Sequence, residues 1–166
     1  MDRAERRRQE RTMRRSQKQP HQEESPTSDV FLGFPDDLNL LQGIEDVING
    51  KLSAMEERLL TEKLTRDETI KIAIEYVKQQ ALSVTVKAKR AKLSNDPEAL
   101  LTLLENARDL HTAFTTAGQS NYVAMKKYFS DSADHHIQYG DIVGSDRLKS
   151  VGLKFKEMVT LIPNKN

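Results

Sequence analysis

A chain of 166 residues with neither Cys nor Trp is long enough for one domain plus an appendage, and the lack of Cys excludes disulfide staples, thiolate catalysis and Cys-ligated zinc. The net charge of +1 conceals three blocks: residues 1–19 carry eight Lys or Arg against three acids, residues 20–50 carry seven acids and no Lys or Arg, and residues 51–166 sum to +3. No apolar run approaches the roughly 20 residues of a membrane span, and the Arg-rich start is not followed by the apolar stretch of a secretory signal, so an intracellular, cytoplasmic or nuclear, location is expected, without secretion or membrane contact.

In the first block Arg3, Arg6, Arg7, Arg8, Arg11, Arg14, Arg15 and Lys18 alternate with polar residues. These residues suit a helix but offer no apolar face to dock it, which predicts a disordered basic arm able to become helical on a partner. Guanidinium forks match phosphate oxygens, and several such contacts release counterions, so the arm is the first candidate for binding RNA or DNA. It holds no aromatic residue on which a base could stack, so weak selectivity is expected. Pro20 and Ser25-Pro26 mark a linker, and residues 1–29 are read as arm plus linker.

Residues 30–64 form a second region. Phe31, Phe34 and Leu38 stand among Asp29, Asp36 and Asp37, and Asp36 or Asp37 can cap a helix beginning at Leu38. Its apolar positions Leu41, Ile44, Ile48, Leu52, Met55 and Leu59 keep one stripe on a helix. An acidic, amphipathic segment of this kind is expected to dock a protein partner, to self-associate, or to lie on its own body. Gly43 and Gly50 weaken the helix by roughly 1 kcal/mol each relative to Ala, so a break near Asn49-Gly50 is expected as an alternative to one long helix.

Residues 65–166 read as a helical body. Thr65-Arg66-Asp67-Glu68 has the form of a capping box, and Ile70, Ile74, Val77, Ala81, Val84, Ala88 and Ala91 recur at helical spacing to about Leu93. Alternation over Leu82, Val84 and Val86 offers a rival strand. Lys87, Lys89, Arg90 and Lys92 close this stretch, either as a solvated helix end or as an extension of the phosphate-binding surface. Asp96-Pro97-Glu98 starts the next helix, burying Leu100, Leu101, Leu104, Ala107, Leu110 and Phe114 and stopping at Gly118. Another runs from Ser120 or Asn121 toward Ile137 with Tyr122, Met125, Phe129 and Ala133 inward, followed by a turn between Gly140 and Gly144. The last begins at Ser145, buries Leu148, Val151, Phe155, Met158 and Ile162, and ends before Pro163. The fold class is all-α, a bundle or array of about five helices behind a charged arm.

Catalytic signatures are absent from the residues. There is no phosphate-cradling glycine loop, no Gly-x-Ser-x-Gly elbow and no dinucleotide fingerprint. His111 falls on the apolar side of its helix, and Asp131, Asp134, His135, His136 and Asp141 lie close in sequence, but adjacent histidines diverge by about 100° on a helix and do not make a metal pair. A His/Asp metal-dependent hydrolase is the remote alternative. The expectation is a non-enzymatic nucleoprotein adaptor with no cofactor and no metal, its arm on nucleic acid and its amphipathic helix on a protein. The rival is an assembly scaffold or chaperone acting by self-association. That layout, in outline alone, resembles phosphoprotein-type cofactors of viral polymerases.

Overall fold

The computed structural model describes residues 2–9, 31, 33–116 and 119–164, with the backbone alone at 113–116, 119 and 120. The chain divides into two units, Met1–Phe34 and Pro35–Asn166. In the first, residues 3–9 are helical and exposed. The amides of Glu5 and Arg6 donate to the Asp2 carbonyl (3.1 and 3.2 Å), which opens that helix, and the Phe34 amide closes a turn on Phe31 (3.0 Å). Arg11, Arg14, Arg15 and Lys18 and the linker lie outside the described residues.

The second unit holds five helices: α1 (Leu38–Thr61), α2 (Arg66–Leu93), α3 (Pro97–Phe114), α4 (Tyr122–Val143) and α5 (Asp146–Leu161). Each start has a sequence reason. Asp37, Thr65, Asp96, Asn121 and Ser145 each accept a backbone amide in the first turn through a side-chain oxygen, satisfying donors that have no partner within the helix. Gly144, at φ 71°, ends α4 in the left-handed conformation that lacks a steric penalty only for glycine.

Helix α1 packs on α2 and α5; α2 pairs most extensively with α3, and α4 with α5. At the centre the rings of Tyr76, Phe129 and Phe155 meet with centroids 5.1 to 6.0 Å apart. Along the body Leu41, Val77, Val86, Met125, Val151 and Met158 are also fully buried. Arg66 donates to the Leu161 carbonyl (3.0 Å), placing a cation on the negative end of α5. Arg147 joins α5 to α1 through Glu57 (2.6 Å).

Several elements differ from expectation. α1 runs unbroken through Asn49-Gly50. The 82–87 stretch is helix, and the buried positions of α2 include Ile72, Ala73, Tyr76, Val77, Ser83 and Val86 as well as Ala88 and Ala91, while Ile70, Ile74, Ala81 and Val84 are only half-buried. The reason is that α2 is packed by several other helices, so it has no single inner stripe. Leu101 is 65% exposed and Leu100 half-buried. α3 ends at Phe114, and β-branched Thr115-Thr116 pairs antiparallel with Gln119-Ser120 in a two-residue ladder; the expected stop, Gly118, lies outside the described residues, as does the Phe114 side chain. α4 continues past Ile137 to Val143, with Gly140 inside it.

Candidate nucleic-acid interface

The two basic clusters read from the sequence have different surroundings. Arg3, Arg6, Arg7 and Arg8 are all exposed, within less than two turns of helix. At 100° per residue, Arg3, Arg6 and Arg7 share one face. Such a row presents several guanidinium forks to a phosphate backbone at once.

The cluster at the end of α2 is already engaged inside the second unit. Arg90 Nη1 lies 2.5 Å from Glu45 Oε2, and Lys87 Nζ lies 4.0 Å from the other oxygen of the same carboxylate. Lys89, buried, pairs with Asp36. The Lys89 ammonium, and more weakly that of Lys92, holds the Asp36 carboxyl below its ordinary value. These four cations are therefore not a bare surface; three of them tie α2 to Asp36, ahead of α1, and to Glu45 within it. Lys87 and Lys92 stay exposed beside these pairs.

The apolar stripe of α1, a candidate for partner docking in the sequence, is mostly turned inward. Leu41, Ile48, Leu52, Met55 and Leu59 are buried, Ile44 is half-buried, and Leu38 is 46% exposed. Phe31 is buried and Phe34 half-buried. The stripe on α1 faces α2 and α5 of its own body, the third of the options its amphipathicity leaves open, and no partner can take it while α1 stays in place. Glu45 sits within that stripe at 7% exposure, in a place where the period calls for an apolar residue. Its charge is tolerable there because two cations of α2 face it.

A polar thread that nothing in the sequence signals runs along α4, and a separate polar contact joins α1 to α2. Tyr76 Oη donates to Glu56 Oε1 (3.4 Å), the Tyr128 hydroxyl bonds Ser132, and Ser132 Oγ lies 3.3 Å from His136 Nδ1. Burial raises the Glu56 carboxyl, opposed by the positive fields of His136 and Arg147 and by the Tyr76 bond, and burial likewise pushes both phenols up. Glu56 reads in sequence as one of an exposed acid pair with Glu57; only the arrival of Tyr76 from α2 distinguishes it. Beside this thread a cleft of about 590 Å³ opens between α2, α3 and α4, lined among others by Gln80, Asn106, Asp109, Lys127, Tyr128 and Asp131.

Among the described residues the histidines do not converge. His111 is exposed instead of lying at the core edge. His135 stacks on Tyr139 in solvent, whereas His136 turns inward with Nδ1 2.8 Å from the Ser132 carbonyl and its ring edge-on to Phe155. Among the described residues no three His, Asp or Glu side chains are grouped to hold a metal, and no helix is long and apolar enough to cross a membrane. Comparison with protein-family models, with curated proteins and with solved structures finds no match for this chain.

Proposed function

We propose that the protein is a non-enzymatic adaptor that grips the phosphates of RNA or DNA through its N-terminal arginines and presents its five-helix body to a protein partner. The observation that supports this most is the exposed row Arg3, Arg6, Arg7 and Arg8 on one helical stretch, followed in sequence by Arg11, Arg14, Arg15 and Lys18. The arm lacks aromatic residues, so contact is by charge and little by base identity. Viral origin and a role beside a polymerase belong to this reading only through the layout of charged head and helical body.

The test is fluorescence anisotropy of a labelled oligothymidine titrated with the full chain across 50 to 200 mM salt. Replacing Arg6, Arg7, Arg8, Arg14 and Arg15 with Ala is expected to abolish most binding. It should also flatten the slope of log K against log salt by about 3.5, at about 0.7 for each single-strand phosphate that an arginine no longer neutralises. Unchanged affinity and slope in this arm variant refute the adaptor reading.

A further inference from the structure

We propose that the end of α2 is a second nucleic-acid phosphate site, built from Lys87, Lys89, Arg90 and Lys92 and occupied within the protein by the carboxylates of Asp36 and Glu45. The inference rests on the adaptor reading for the class of ligand, and adds to it a site and the contact that blocks it.

Three observations carry it. First, the carboxylates take the positions of phosphate oxygens. Glu45 bridges Arg90 (2.5 Å) and Lys87 (4.0 Å) with its two oxygens, as one phosphate would bridge cations three residues apart on a helix. Second, charge is unequal at the site. Four cations stand within six residues of α2 with no acid among them, a density that suits a polyanion. Third, the blocking segment is weakly built. Gly43 and Gly50 lie in the interior of α1, and a Cβ at either would meet nothing within 4 Å, so neither glycine is required by packing and each weakens the helix. The Asp36 side chain is 78% exposed, ahead of the first turn of α1, so it can swing away without disturbing the core. A nucleic-acid strand held by the arm is tethered to the body through the chain itself and so competes with these carboxylates at raised effective concentration, and each carboxylate displaced exposes another cation to it.

The experiment uses the full chain with the five arm arginines replaced by Ala, so that the arm contributes least, and the same labelled oligothymidine at 50 mM salt. Adding Asp36→Asn and Glu45→Gln is expected to tighten binding by about tenfold and to steepen the salt slope by about 1.4, the value for two further phosphates neutralised. The gain should vanish on adding Lys87→Ala and Arg90→Ala. Glu62→Gln with Glu157→Gln makes the same change of net charge toward the other end of α2, and should give less than about a twofold gain. No gain from the Asp36/Glu45 pair, or an equal gain from the control pair, overturns the proposal, whatever the arm substitutions alone have done to the wild-type affinity. Where circular dichroism shows that Glu45→Gln disturbs the helices, Asp36→Asn alone decides: a gain of about threefold and a slope change of about 0.7 support the site, and neither change sinks it.

Discussion

Four glycines in helices have opposite roles, and the difference is visible only at the level of single atoms. A Cβ built on Gly140 would lie 2.8 Å from Lys149 Cγ and 3.0 Å from both Lys149 N and Ser145 O; on Gly152 it would lie 2.7 Å from Ile137 Cγ1 and 2.8 Å from Ala133 O. These two residues let α4 and α5 approach backbone to backbone, whereas Gly43 and Gly50 border open space. Gly43→Ala and Gly50→Ala are therefore expected to stabilise the fold by about 0.5–1 kcal/mol each, and Gly152→Ala to destabilise it by about 1–3 kcal/mol. Urea denaturation of the three variants checks both signs. In sequence all four look alike, as helix weakeners or turn formers, because nothing in the chain says which glycine meets a neighbouring backbone. For that reason Gly140 suggests a turn in sequence although it lies inside α4.

Helices are legible in sequence where local chemistry decides them. The caps Asp37, Thr65, Asp96, Asn121 and Ser145 combine a side-chain acceptor with a following amphipathic run, and each stands where the sequence places it or within one residue. What a helix meets is less legible. The stripe of α1 is evident as a stripe, but an apolar stripe does not name its partner, and Glu45 within it has meaning only beside Lys87 and Arg90 of α2. The same long-range pairing hides the candidate phosphate site, since the partners come from different helices. Glu56 is the case with a pH signature. Its carboxyl is raised above its ordinary value of 4.5, chiefly by burial between α1 and its neighbours, so ionised Glu56 lowers stability. The penalty is complete above the folded value and disappears as pH falls through it to below 4.5, where the residue is protonated in both states. Glu56→Gln keeps an acceptor for Tyr76 and removes the charge. The variant is expected to melt at or above the wild-type temperature near pH 7, and the gap between them should close below pH 4.5.

At the scale of the whole body, cooperativity depends on one aromatic centre shared by three helices. Tyr76 comes from α2, Phe129 from α4 and Phe155 from α5; Phe155 touches both other rings and the imidazole of His136. α1 is joined to this centre through Glu56 on Tyr76, and α3 is joined to α2 along their shared face. With five Phe and no Trp in the chain, few large side chains are available to fill the middle, and Phe155 at 0% exposure has no substitute. Truncating it removes ring contacts to two helices at once and leaves a void that close-packed neighbours fill only in part. Phe155→Ala is expected to cost about 3–5 kcal/mol, a large share of the roughly 5–15 kcal/mol by which domains of this size are stable. Because the rings link helices from both ends of the sequence, the truncation should lower the stability of the body as a unit. Urea transitions followed by far-ultraviolet circular dichroism, which reports all five helices, and by tyrosine fluorescence, which reports Tyr76 on α2 and Tyr122, Tyr128 and Tyr139 on α4, should stay superimposed in wild type and variant. Separate midpoints for the two probes would mean that α4 and α5 unfold independently of α1 to α3, and the aromatic centre would then be a local contact instead of the point that holds the body together.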